Sequence, residues 1–160
     1  MYPGQKFYKV VSHRKYWGCE KDYTKLYSSY IHSRELSDFI TEYRVGEWTS
    51  PAKEGTPGIF TFGNLSAAEV HMSCAGADKI YLCEVREPKE FFRILAPDNY
   101  FGDCYFKLRM AEAGSKLDIA QKRWPSLKTP GLEYWMKAVE GTFGCSAVKL
   151  TDLIKENHIR

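Results

Sequence analysis

The sequence has five cysteines, Cys19, Cys74, Cys83, Cys104 and Cys145, but no C-x-x-C pair among them. Zinc sites assembled from two such pairs are therefore excluded as a reading. Walker A, G-x-G-x-x-G, G-x-S-x-G and H-E-x-x-H motifs are all absent. The four histidines, His13, His32, His71 and His158, have no close metal-ligand spacing, so no metal centre is expected. No run of about 18 apolar residues occurs, and no membrane span is expected. Met1 to Gln5 leads into a polar, alternating segment instead of an apolar signal core. Reduced thiols in a cytoplasmic protein are the simplest account of the odd cysteine count. There is no internal repeat and no low-complexity tract.

What is present suits a folded domain. At 160 residues the chain is expected to form a single globular unit over 1–160, long enough to bury a core without staples. Eleven Tyr, nine Phe and four Trp make up 15% of the chain. Disordered chains are poor in aromatics. Core filling and ligand stacking both use such residues. The net charge is +3, with acids and bases interspersed. A dedicated duplex-DNA binder would show clustered Lys and Arg, so none is expected. Mild attraction to an anionic ligand is compatible with this balance.

Lys6–Ser12 reads as a strand, being β-branched and aromatic. Ser28–Arg34 reads as a second short strand. Leu36–Tyr43 has helical spacing, while Glu42–Glu47 suits a strand. Trp48-Thr49-Ser50-Pro51 and Gly55-Thr56-Pro57-Gly58 mark a break. Ile59–Phe62 is a short strand ended by Gly63. Ser66 and Glu69 have capping-box spacing, predicting a helix from about Leu65 to Cys74 that Gly76 stops. Lys79–Glu87 alternates as a strand ended by Pro88, with Phe91–Leu95 pairing beside it. Tyr105–Met110 is another strand, and residues 115–124 look helical. Thr129-Pro130 predicts a helix start, followed by a stripe of Leu132, Trp135, Met136 and Val139. Ala147–Leu150 is a last strand, with Thr151 capping a short helix through Ile154. The fold class expected is α+β, a mainly antiparallel or mixed sheet with several short helices.

Several residues are candidates for chemistry. His13 and Arg14 end the first strand, where a His beside an Arg can grip a phosphate or ribose edge. An exposed loop pair is the bland alternative. Tyr105, Lys107 and Arg109 share one strand face, which can stack a base and hold phosphates or can simply be solvated. Arg44 and Trp48, with Tyr43 and Glu47, precede the Pro/Gly loop, where Trp48 can stack a ligand or pack inward. Glu84, Glu87, Glu90 and Glu140 could each supply a catalytic acid or base, with Glu84 and Glu140 as the catalytic candidates. Glu84 alternates onto the Ile80 and Leu82 face, and burial of that face would favour its protonated form. Cys83 and Cys145 have no histidine nearby in sequence and read as small core residues.

The segments Tyr8–Arg14, Gly58–Phe62, the helix after Ser66 and Lys79–Val85 together resemble small ADP-ribosyltransferase-like domains, over roughly residues 6–95. They also resemble small uncharacterised proteins of bacteriophage and bacteria. The transferase resemblance implies that His13 or Arg14 holds the nicotinamide ribose and that Thr61 supports the pocket. The Glu/Gln-x-Glu motif of that family is missing after residue 95, and Glu140 stands alone. The leading expectation is therefore binding of a nucleotide-like anionic small molecule without a cofactor. In a phage protein this would sequester a host nucleotide signal. A mono-ADP-ribosyltransferase or NAD-cleaving enzyme using NAD is the alternative, and a protein-binding inhibitor with an exposed aromatic patch is the third.

Overall fold

The computed structural model describes residues 4–15, 19–28, 40–51, 58–90, 93–95, 135–137 and 141–157. Phe7–Ser12 forms β1, near the middle of a nine-stranded sheet. Its neighbours are β2 (Leu26–Ser28), β5 (Ile59–Phe62) and β6 (Lys79–Arg86). The short strands β3 (Glu42–Tyr43), β4 (Trp48–Thr49) and β7 (Lys89–Glu90) lie at the margins. The late strands β10 (Thr142–Cys145) and β11 (Ala147–Glu156) complete the main path, β4-β11-β6-β1-β5-β10-β7. All described pairings are antiparallel. A separate two-stranded sheet joins β8 (Arg93–Leu95) to β9 (Trp135–Lys137).

The Val10-Val11 pair explains why β1 is central. In a strand, successive side chains point to opposite faces. Val10 packs with Phe62, Ala68, Met72 and Ile80 on one face. Val11 packs with Phe7, Ile59, Tyr81 and Val148 on the other. A strand buried on both sides is apolar without strict alternation. One long edge of β1 pairs with β6 from Phe7↔Cys83 to Val11↔Lys79. The opposite edge is shared, with Tyr8 opposite Phe62 of β5 and Val11 opposite Ser28 of β2.

The only helix among the described residues is α1 (Leu65–Ala75). Asn64 caps it, its side chain accepting the Ala67 N–H at 2.7 Å. Gly76 adopts the left-handed conformation at φ 63° and donates to the Met72 and Ser73 carbonyls, closing the helix. Ala67 and Ala68 are small enough to bring the helix close to the sheet, where both are buried. An 11-residue helix is about 16 Å long, so it covers only part of its sheet face.

The antiparallel sheet and the α1 segment match the sequence reading, whereas several local expectations do not. The several short helices reduce, among the described residues, to α1 alone. The capping box at Ser66 is displaced, because Asn64 takes the cap and Glu69 instead binds Lys155 at 2.7 Å. Trp48-Thr49 is not a break but the edge strand β4. Of the segment Phe91–Leu95, expected beside β6, Arg93–Leu95 pairs instead with Trp135–Lys137, and residues 91–92 lie outside the described residues. That pairing also replaces the helix expected around Trp135 and Met136. Thr151 starts no helix. Its hydroxyl donates to the Leu82 carbonyl at 3.0 Å, within a bulge that lets β11 continue to Glu156. The strand Thr142–Cys145 was not expected. Of the strand expected over Ser28–Arg34, Ser28 is the last residue of β2, and residues 29–34 lie outside the described residues. Residues 105–110 and 115–124 also lie outside them.

Candidate functional site

Register decides which side chains meet beyond the end of α1. On β6, Ile80, Leu82, Glu84 and Arg86 alternate onto the helix face. Ile80 is under α1, and Glu84 is about 13 Å further along the strand at 3.3 Å per residue. β11 places Lys149 opposite Glu84, and β4 places Trp48 opposite Lys149. Trp48, Lys149, Glu84 and Arg86 therefore share one face of three neighbouring strands, past the helix.

The contacts follow from that placement. The Arg86 guanidinium carbon lies 4.0 Å from the Trp48 ring centroid. The Lys149 ammonium lies 5.3 Å from the same ring and 2.7 Å from the Glu84 carboxylate. Trp48 retains 38% of its surface exposed. Among the described residues, Arg86 has no carboxylate within salt-bridge distance, whereas Lys149 has Glu84. Trp48 thus holds a guanidinium whose charge no acid among the described residues neutralises. Such a group has several N–H donors in a planar fork suited to phosphate or carboxylate oxygens.

Glu84 is exposed, so the burial of the Ile80 side of the strand does not extend to it. Although β6 is an inner strand, the helix above it ends before Glu84. Arg44 is also exposed, 3.9 Å from Glu42, in the turn that leads to β4. Trp48 and Arg44 are close in sequence, yet the ring partners of Trp48 are Arg86 and Lys149, which the sequence reading did not single out. Their signal is only visible once strand register is known.

His13 and Arg14 occupy the opposite end of the sheet. His13 is buried, with Nδ1 2.9 Å from the Lys25 carbonyl and its ring 5.1 Å from that of Tyr23. Its backbone N–H donates to Asp78 at 2.8 Å, and the Ser12 hydroxyl donates to the same oxygen at 3.0 Å. Lys21 completes the group by pairing with the other Asp78 oxygen. These bonds bind the end of β1 to the loop before β2 and to the start of β6. Tyr23 is 73% exposed. The Arg14 N–H donates to the Ser12 hydroxyl at 3.3 Å.

Thr61 lies on the face of the sheet away from α1 and is fully buried, with its hydroxyl 3.4 Å from the Cys145 sulfur. Lys9, which the sequence did not single out, lies on that same face. It is 2% exposed and donates from Nζ to the Phe60 carbonyl at 2.7 Å. Its ammonium is 5.7 Å from the Tyr43 ring centroid. Burial pushes the Cys83 thiol up to about 12, helped by nearby Cys145 and opposed by Lys9. Burial likewise pushes Cys145 up to about 11, against the opposing effects of the Thr61 hydrogen bond and Lys9. Thiols held in the protonated form are poor nucleophiles, which agrees with reading both as core residues.

Glu140, Tyr105, Lys107 and Arg109 lie outside the described residues. Among the described residues no group of His, Cys, Asp and Glu is arranged to hold a metal ion, and no helix is long and apolar enough to cross a membrane. No family model matches the chain, and neither a curated protein nor a solved structure does so.

Proposed function

We propose that this chain binds a nucleotide-like anionic small molecule at the Trp48–Arg86–Lys149 face. The observation that supports this most directly is the Arg86 guanidinium seated over the Trp48 ring, with no carboxylate among the described residues within salt-bridge distance. A cation on an aromatic face is worth about 0.5–1 kcal/mol at an exposed site and about 2 kcal/mol when desolvated. That contact holds the guanidinium in place before ligand arrives, which lowers the ordering cost of binding. Lys149 adds a second cation on the same face. A phosphate would bond to Arg86, while an attached base would lie along the exposed part of Trp48. Binding without turnover would sequester the ligand.

The test is a thermal-shift and tryptophan-fluorescence screen with NAD, ADP-ribose, and linear and cyclic di- and trinucleotides. A ligand at about 100 times its Kd adds roughly 2.7 kcal/mol of apparent stability. A shift for one compound that is lost in both Trp48→Leu and Arg86→Ala supports the assignment. The fate of that compound then distinguishes a binder from a transferase, because NAD cleavage releases nicotinamide. A flat screen ends the nucleotide reading, and a shift retained in both variants moves the site elsewhere.

A further inference from the structure

Among the described residues, the outer edge of β11 is only partly covered. β4 pairs with it at Val148 and Lys149, and the Gly46 N–H reaches the Leu150 carbonyl. Beyond that point, no described strand pairs with the outer side of Thr151–Glu156. The inner side is paired to β6 as far as Glu156↔Lys79, with register shifts at Thr151 and Ile154. Leu153 and Ile154 on this segment are 46% and 41% exposed. An uncovered edge offers a row of backbone donors and acceptors to another strand.

We infer that this edge pairs with the same edge of a second copy of the chain, antiparallel and about a two-fold axis perpendicular to the sheet. The sequence Thr-Asp-Leu-Ile-Lys-Glu is complementary to its own reverse. When two copies run antiparallel with the centre between Leu153 and Ile154, Asp152 of each copy faces Lys155 of the other. Leu153 of each then faces Ile154 of the other. Opposite charges and apolar side chains directly across a ladder both stabilise the pairing.

The bulge in β11 is what permits this register. Directly opposed residues across such an axis must lie on the same sheet face. In a regular strand, residues 152 and 155 lie on opposite faces, and the register would be forbidden. Here Asp152 is opposite Leu82 and Lys155 is opposite Ile80, with a register shift between Leu153 and Lys155. Leu82 and Ile80 share a face, so Asp152 and Lys155 do too. The bond from Lys155 to Glu69 of α1 independently places Lys155 on the helix face. The charge pattern and the bulge are thus consistent with one two-fold arrangement. β4 stands at either end of the open segment across the axis and limits the pairing to that stretch. This inference is independent of the binding face, whose residues Trp48, Arg86 and Lys149 lie outside Thr151–Glu156.

The test is sedimentation velocity on the whole chain over a concentration series, with charge exchange at the edge. The wild type is expected to dimerise. Asp152→Lys and Lys155→Asp each replace two attractive pairs with two repulsive ones and should raise the dimer dissociation constant on the order of tenfold. The double variant, Asp152→Lys with Lys155→Asp, restores complementarity and should dimerise again. This rescue separates pairing from misfolding, and thermal melts of all four proteins provide a folding control. A wild type that stays monomeric at its highest soluble concentration overturns the inference. So do single variants that dimerise as well as wild type, or a folded double variant that does not recover.

Discussion

The Asp78 carboxylate accepts the His13 backbone N–H at 2.8 Å, linking positions 65 residues apart in sequence. The same side chain accepts from the Ser12 hydroxyl and pairs with Lys21, so the end of β1, the following loop and the start of β6 meet at one acid. Burial disfavours its charge. The His13 N–H, Lys21 and Ser12 together outweigh that effect, and its pKa is lowered from the ordinary 3.8. A carboxylate with a depressed folded pKa adds stability above its unfolded pKa, and that stability is lost as pH falls through the folded value. Asp78→Asn should therefore cost about 1.5–3 kcal/mol at neutral pH, the usual worth of hydrogen bonds to a charged group. The gap to wild type should close in acid, where Asp78 is protonated too. Urea denaturation at neutral pH and below pH 3.8 measures both quantities. A gap that does not narrow in acid would sink this account of Asp78.

Gly58 precedes β5 with φ at 103°, and a Cβ there would lie 2.5 Å from the Cys145 carbonyl oxygen. Both the backbone conformation and the contact oppose any side chain, and the obstructing atom is backbone that cannot rotate away. Gly58→Ala should cost more than the roughly 1–3 kcal/mol of backbone strain alone. Gly46 is the control. Its φ is 84°, but a Cβ there meets nothing within 4 Å, so Gly46→Ala should show only the strain. Equal midpoints for the two variants in urea would remove the close approach from the explanation.

Strand patterns carried the most information in the sequence. The double-valine segment of β1, the alternation in Lys79–Arg86 and the glycine stop at Gly76 each reflect local chemistry, and each appears in the fold where expected. The Ser66 box failed because Asn64 is a competing cap just before it, and spacing alone does not choose between two polar caps. β11 outran its expected length because bulges at Thr151 and Ile154 let the strand pass a stretch that does not alternate. Trp48 was visible as a candidate because it is aromatic and lies near a turn. Arg86 and Lys149 were not, since only the β4-β11-β6 order brings residues so distant in sequence to one ring. Lys9 was hidden for a related reason, because a lysine in an apolar strand gives no sign of the carbonyl that receives it.

Cys83 and Cys145 should resist alkylation in the folded protein. Burial both shields the thiols and pushes them up to about 12 and about 11, leaving almost no thiolate at neutral pH. Cys19 is only partly buried and should be modified by iodoacetamide well before either. Peptide mapping after a short pulse, with and without denaturant, gives the order. Early labelling of Cys83 or Cys145 without denaturant would show that the face away from α1 opens readily.

Arg86 should not be replaceable by lysine. Lys149 already supplies an ammonium near Trp48, so what Arg86 adds is a planar, delocalised cation with donors in a fixed fork. Arg86→Lys keeps the charge but loses the fork and most of the stacking. For the ligand identified by the thermal-shift screen, the expected loss is on the order of tenfold in Kd, matching about 1.4 kcal/mol. Arg86→Ala should lose more. Lys149→Ala should be milder at moderate salt, because that ammonium is already shared with Glu84. Titrations at two ionic strengths separate the two effects. Loss of a point charge fades as salt rises, whereas loss of bidentate geometry persists. If Arg86→Lys bound as well as wild type at both, the site would need only positive charge, and the stack on Trp48 would have no part in recognition.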